Sequence, residues 1–166
     1  MYERNRIRQR SLPRRWSAGG PNFPAIVKGH AFWYVPLNRG PKNMKRILLI
    51  EDSLENTILV ERVLEASGYE LLNAATGELG IQMAIEQTPD MVLIDIGLPD
   101  IDGHTVLTLL RQVSELDGVP LVAITAWPAD IAQEMCQRYG YDGVIIKPIS
   151  VRAFPRQIAE FFVPGG

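Results

Sequence analysis

The chain has 166 residues, 46% of them hydrophobic and 22% charged, with a net charge of −2. This is the balance of an ordinary globular protein, large enough for one sizeable core. A single cysteine, Cys136, excludes an internal disulfide and fits a reducing cytosol, and no apolar run approaches the roughly 18 residues that a membrane span needs.

The small net charge hides an asymmetry. Residues 1–43 carry nine Lys/Arg against one acid, a balance of +8, and the remaining 123 carry eight basic and eighteen acidic groups, a balance of −10. Residues 1–43 show no sustained period: arginines alternate with Pro, Gly, Asn and scattered aromatics such as Trp16, Phe23, Trp33 and Tyr34. That composition predicts a disordered or loosely packed basic extension. It reads as a dispensable piece ahead of a natural start at Met44, as an arm for nucleic acid or an acidic surface, or as an organellar targeting segment. A secretory signal is not expected, since the basic start lacks an apolar stretch and cleavage site.

At Met44 the pattern changes. Ile47-Leu48-Leu49-Ile50 is a buried-strand run that ends in Glu51-Asp52-Ser53. Residues 54–67 suit a helix, with Gly68 as its left-handed cap. Residues 70–75 form a weaker strand, and Thr76 can cap a helix over 77–87, which Pro89 follows. Met91-Val92-Leu93-Ile94 runs into Asp95, the most prominent carboxylate of the chain; Gly97, Pro99 and Gly103 mark the loop behind it. Val106, Leu109, Leu110 and Val113 make one apolar stripe, predicting a helix over roughly 104–113. His104 at its start is expected to be exposed or to cap it. Residues 119–124 are the next buried strand, ending at Thr125. Ile131, Ala132, Met135, Cys136 and Tyr139 form a second stripe ended by Gly140, with Cys136 as a small core residue. Val144-Ile145-Ile146 is the last strand, ending at Lys147-Pro148. Ser150 can cap a final helix with the stripe Phe154, Ile158, Phe161 and Phe162, and Pro155 lies in its first turn or so.

Five strand–helix units in strict alternation predict an α/β fold, a doubly wound parallel sheet with helices on both faces. Every carboxyl end in such a sheet lies on one edge, where open α/β sheets place their ligands. Glu51, Asp52, Asp95, Thr125 and Lys147 would therefore converge. Clustered carboxylates repel one another unless a cation sits among them, and hard oxygen donors with open positions suit Mg²⁺. A carboxylate held there can attack phosphorus, with a lysine and a hydroxyl stabilising charge on the phosphoryl oxygens. Each residue alone has a plainer reading: an Asp after a strand is usually a cap, a Thr bonds locally, and Lys-Pro is a surface turn. Joint occurrence at the successive strand ends carries the signal.

On the pair Glu51-Asp52, the segment Asp95-Ile96-Gly97-Leu98-Pro99-Asp100-Ile101-Asp102-Gly103, Thr125-Ala126 and Lys147-Pro148, residues 44–166 resemble the receiver domain of two-component response regulators. The resemblance implies a flavodoxin-like sheet of strand order 2-1-3-4-5. It implies that Asp95 accepts a phosphoryl group from a histidine kinase or histidine phosphotransfer protein. It further implies that Asp52, Asp95 and the backbone carbonyl of Gly97 bind Mg²⁺ directly and Glu51 through a water, and that Thr125 and Lys147 contact the phosphoryl oxygens. Two features stand apart. Val144 occupies a position that in the family is often Tyr or Phe and acts as a rotamer switch; having no ring to swing, it calls the usual output through the fourth helix and fifth strand into question. Trp127, two residues after Thr125, flanks the phosphate position, where its indole could shield a phosphoryl group from water.

The expected protein is thus a stand-alone, cytoplasmic receiver. Since the chain ends shortly after the last helix, its output is expected through a downstream protein target or onward relay. It is expected to be a monomer or weak dimer, without membrane or nucleic-acid partners. No enzymatic activity is expected beyond Mg²⁺-dependent self-phosphorylation and auto-dephosphorylation. The rivals are a non-phosphorylated interaction module of the same fold, a nucleic-acid-binding basic arm, and an aspartyl-phosphate hydrolase; the last needs a second acid placed to protonate a leaving group, and the sequence shows none next to Asp95.

Overall fold

The structure is a computed structural model, and it describes residues 44–163. The readings of the basic extension, residues 1–43, lie outside the described residues. The elements follow in strict βα alternation: β1 (Arg46–Ile50), α1 (Leu54–Ala66), β2 (Glu70–Ala74), α2 (Gly77–Gln87), β3 (Met91–Asp95), α3 (Gly103–Leu110), β4 (Leu121–Thr125), α4 (Ala129–Tyr139), β5 (Gly143–Ile146) and α5 (Phe154–Glu160). The strands form one parallel sheet in the expected order β2-β1-β3-β4-β5.

The sheet is buried on both faces, which is why its strands read as continuous apolar runs and do not alternate. Leu48, Ile50, Val92, Ile94, Leu121 and Ala123 pack against α2, α3 and α4 through Ala84, Val106, Leu107, Leu110 and Cys136. Ile47, Leu49, Met91, Leu93, Val122 and Ile124 face the other way, toward Val60 and Leu64 of α1 and Phe154 and Ile158 of α5. Each of these large side chains, fully withdrawn from water, contributes about 1.5–3 kcal/mol. This two-sided core fixes the strand register, and the register fixes what meets at the carboxyl edge.

Gly68 and Thr76 bound α1 and α2 as the sequence predicts, and the structure adds Ser53. Ser53 caps α1, its side chain accepting the Asn56 N–H, and Gly68 follows the helix at φ +83°. Thr76 caps α2 by accepting the Leu79 N–H.

Two helices differ from their predicted spans. The helix expected over 104–113 ends at Leu110, because the amides of Gln112 and Val113 bond three residues back, to Leu109 and Leu110. That tightened turn leads into a 3₁₀ turn at Ser114–Leu116 that carries Leu116 into the core. Leu107, outside the predicted stripe, is also fully buried. The last helix begins at Phe154, later than a Ser150 cap implies: Ser150 closes a preceding turn by accepting the Ala153 N–H, and Pro155 lies in the first helical turn. The stripe on α4 is narrower than its periodicity suggests. Ala132 and Cys136 are buried, whereas Ile131 and Tyr139 remain 46% and 41% exposed.

Candidate functional site

The register brings the carboxyl ends of β1, β3, β4 and β5 level. Ile50 pairs with Ile94, so Glu51 stands beside Asp95. Asp95 pairs with Ile124, so Thr125 lies one residue further along. Thr125 pairs with Ile146, and Lys147 follows, its N–H donating to the Thr125 carbonyl at 2.7 Å. The Lys147–Pro148 peptide is cis.

Lys147 is the hub. Its Nζ lies 2.8 Å from Asp95 Oδ2 and 2.8 Å from Glu51 Oε2. Burial works against the ammonium, but the two carboxylates outweigh it and hold its pKa above the ordinary lysine value. Asp95 and Glu51 are buried, and Asp52 beside them is exposed. Carboxylate oxygens of all three acids lie within 4.8 Å of one another. Asp95 Oδ1 accepts the Gly97 N–H at 3.0 Å and Glu51 Oε1 accepts the Ser53 N–H at 3.1 Å. The five predicted side chains are therefore brought to one edge, with the exposed Gly97 in the loop just above Asp95.

Thr125 is buried, and its hydroxyl oxygen accepts the Trp127 N–H at 3.1 Å. That bond uses an acceptor lone pair, so the Thr125 O–H proton can still be donated to a phosphoryl oxygen. Val144 lies half-buried against the core face shared with α4, in place of an aromatic ring.

The donor set fits a hard divalent cation. One ammonium offsets only part of three clustered carboxylates. Glu51 Oε2 is buried, and although paired with Lys147 it makes no directed hydrogen bond among the described residues. Asp52 opens the cluster to solvent, as a metal that keeps several waters requires.

The loop between β3 and α3 is fixed by contacts that no local sequence period announces. Asp100 accepts the amide hydrogens of Gly77 and Glu78, the first two residues of α2, at 2.9 and 3.0 Å. Asp102 caps α3 by accepting from His104 N and Thr105 N and from the Thr105 hydroxyl. Gly103 allows the closest approach in the site: a Cβ there would lie 2.6 Å from the Asp95 carbonyl oxygen and 2.8 Å from Ile96 Cα. His104, expected to be exposed or to cap the helix, does neither. Asp102 is the cap, and the His104 ring stacks on Tyr139 with Tyr141 at its edge and Trp127 nearby. A sequence-distant aromatic partner pulls the ring in.

A family model described as response regulator receiver domain matches residues 47–159. The polar-differentiation response regulator DivK of Brucella ovis is 34% identical over 117 residues, which cover 70% of this chain and 95% of DivK. Among solved structures, the receiver domain of the sensor histidine kinase PA1611 of Pseudomonas aeruginosa, which carries a magnesium ion coordinated in its active-site cleft, aligns with a TM-score of 0.67 at 27% identity. The alignment covers 74% of this chain and all of that one, 100%. A putative response regulator from Chloroflexus aurantiacus aligns with a TM-score of 0.69 at 25% identity, over 74% of this chain and 100% of its own.

Proposed function

The chain belongs to the response regulator receiver family, and from that premise we propose that Asp95 is the residue that accepts and releases the phosphoryl group. The observation that carries the assignment is the Lys147 ammonium held 2.8 Å from Asp95 Oδ2 and 2.8 Å from Glu51 Oε2 at the carboxyl edge of the sheet. A lysine so placed holds the acceptor carboxylate in a fixed orientation before any phosphoryl donor arrives.

The donor is a phosphohistidine of a histidine kinase or phosphotransfer protein, or a small acyl phosphate. An Asp95 oxygen attacks phosphorus, the P–N bond to the imidazole breaks as the P–O bond forms, and the imidazole leaves with a proton from solvent. In hydrolysis water attacks phosphorus, the aspartyl P–O bond breaks, inorganic phosphate leaves with the water's oxygen and protons, and the Asp95 carboxylate returns to Lys147. The Thr125 hydroxyl donates to one phosphoryl oxygen and the Lys147 ammonium to another. Asp52 and Asp95, with the Gly97 carbonyl and Glu51 through a water, would hold Mg²⁺; when bound, it offsets charge gathering on the phosphoryl oxygens.

When the Thr125 hydroxyl donates to a phosphoryl oxygen, the Trp127 N–H bonded to that hydroxyl oxygen is drawn along with it. The loop at Thr125-Ala126-Trp127 and the start of α4 are then the parts that shift, biasing an equilibrium between two conformations. The match to 95% of the length of DivK supports a receiver that is itself the signalling unit, acting through a protein target or onward relay. Its own self-phosphorylation and auto-dephosphorylation are its only catalysis, in this reading. Among the described residues no helix is long and apolar enough to cross a membrane, and we place the protein in the cytoplasm.

Incubation of the full chain with Mg²⁺ and acetyl phosphate tests the assignment. Intact-mass measurement should show one added phosphoryl group in the wild type and none in Asp95→Asn. Val144 favours a second reading, an interaction module of the same fold that never turns over phosphate. Absence of any Asp95-dependent mass gain would decide for it.

A further inference from the structure

Two segments must stay in register for the carboxylate cluster to receive a cation: the end of β1, with Glu51 and Asp52, and the β3–α3 loop, with Gly97. Among the described residues, no hydrogen bond joins Glu51-Asp52 to residues 96–102. Both lean on α2. At one side Gly80 of α2 sits so close to Ile50, the last residue of β1, that a Cβ would overlap the Ile50 side chain. At the other side the loop is fastened to the first turn of α2. Asp100 accepts from Gly77 N and Glu78 N, and the Ile101 side chain fills the space that the missing Cβ of Gly77 leaves, 2.5 Å from where that atom would stand.

The Asp100 contact is a strong one by its chemistry. A carboxylate accepts two otherwise unpaired first-turn amides, at the end of the helix where the backbone dipoles favour negative charge. Burial works against the ionised form, but the Gly77 and Glu78 amides outweigh it and hold the Asp100 carboxyl below its ordinary range. α2 has its own side-chain cap in Thr76, which accepts the Leu79 N–H at 3.2 Å. Asp100 is thus not needed to start the helix; what it adds is the tie between helix and loop.

We propose that Asp100 is a positioning residue, whose carboxylate latches the β3–α3 loop to α2 and so holds Gly97 at the distance from Asp52 and Asp95 that cation binding requires. The inference rests on the magnesium reading above and names a residue outside the cation's own ligands. The Asp100 carboxylate is not one of the three clustered acids; its oxygens are turned to the α2 amides.

The test uses ¹⁵N-labelled full-length protein titrated with Mg²⁺, following the Gly97 amide resonance, alongside amide exchange of residues 96–102 without metal. Asp100→Ala should raise the Mg²⁺ dissociation constant on the order of tenfold, as loss of an outer partner of a metal site does, and speed loop exchange. Its phosphorylation by acetyl phosphate should be slow at low Mg²⁺ and return to the wild-type rate at saturation. Asp100→Asn keeps one acceptor and should fall between. Thr76→Ala weakens the same helical turn but leaves the latch, so it should lower the melting temperature without moving the dissociation constant. A saturable wild-type titration with an unchanged Asp100→Ala curve overturns this proposal alone, and so does a Thr76→Ala shift as large as that of Asp100→Ala. A flat wild-type titration overturns the magnesium reading and this proposal with it.

Discussion

The imidazole of His104 lies flat on the phenol of Tyr139, with ring centroids 3.8 Å apart and planes 8° from parallel. This stack joins the first turn of α3 to the last turn of α4. Both ring nitrogens are inaccessible and without hydrogen-bond partners among the described residues. Burial pushes the His104 pKa below its ordinary value, and the Asp102 carboxylate only partly opposes it. The folded state therefore prefers the neutral ring. Since the unfolded chain binds the proton more readily, stability is present above about pH 6.5 and lost as pH falls through the lowered value. The denaturant midpoint of the wild type should fall between pH 7.5 and 5.5. His104→Phe keeps the stack and should remove most of that fall, whereas His104→Ala should cost about 0.5–1.5 kcal/mol at neutral pH through lost ring contact. An equal pH slope in His104→Phe and wild type counts against the assignment.

Lys147 presents the opposite sign. Burial disfavours its charge, but Asp95 and Glu51 raise its pKa, so its contribution is complete below about pH 10.4 and is lost only as pH rises through the raised value. At neutral pH, Lys147→Ala should cost about 1–3 kcal/mol, less than a fully buried pair because the lysine side chain retains 18% exposure. The loss should be larger in chelator than in Mg²⁺, because a divalent cation supplies the charge the lysine gave. Urea denaturation of the variant with and without the metal reads this directly. Identical losses in the two conditions would separate the lysine from the cation site.

The convergence of Glu51, Asp52, Asp95, Thr125 and Lys147 was legible because a parallel sheet collects every strand's carboxyl end on one edge, whatever the loops do. Apolar runs located those ends to within a residue or two, and Gly68, Thr76 and Gly140 announced their helix boundaries through local chemistry. What the sequence hid lies between residues far apart. Asp100 finds its partners 22 and 23 positions earlier, and His104 meets Tyr139 across two elements, so neither pairing leaves a period. The early end of α3 and the late start of α5 turn on 3₁₀-type bonds and on Pro155, which a 3.6-residue stripe does not resolve.

Gly103 should be the least replaceable glycine of the site. A Cβ there would meet backbone, the Asp95 carbonyl oxygen and Ile96 Cα, neither of which can rotate away as a side chain can. Overpacking of a core costs typically about 1–3 kcal/mol, and Gly103→Ala should lie at or beyond the upper end. Gly118, with open space around it and φ +77°, provides the comparison: Gly118→Ala carries only the left-handed backbone penalty of about 1 kcal/mol. Thermal unfolding of the two variants ranks them. Gly103→Ala should also slow phosphorylation, since its clash is with the acceptor's own backbone.

Trp127 is 39% exposed, its ring centroid 6.3 Å from that of His104, and its amide is tied to the Thr125 hydroxyl two residues earlier. The indole therefore stands beside the loop that would contact a phosphoryl group on Asp95. Hydrolysis requires water to reach phosphorus in line with the Asp95 oxygen, and a large ring at the rim narrows that approach. Trp127→Ala leaves the backbone bond to Thr125 intact and removes the indole. Decay of the phosphorylated protein should then be faster; a barrier lowered by about 1 kcal/mol gives roughly a fivefold increase. Trp127→Phe should decay at an intermediate rate, because a smaller ring still shields. Decay can be followed by intact mass after removal of acetyl phosphate. A rate in Trp127→Ala equal to or below that of the wild type would mean that the indole does not guard the phosphoryl group, and its place beside His104 would then be its whole role.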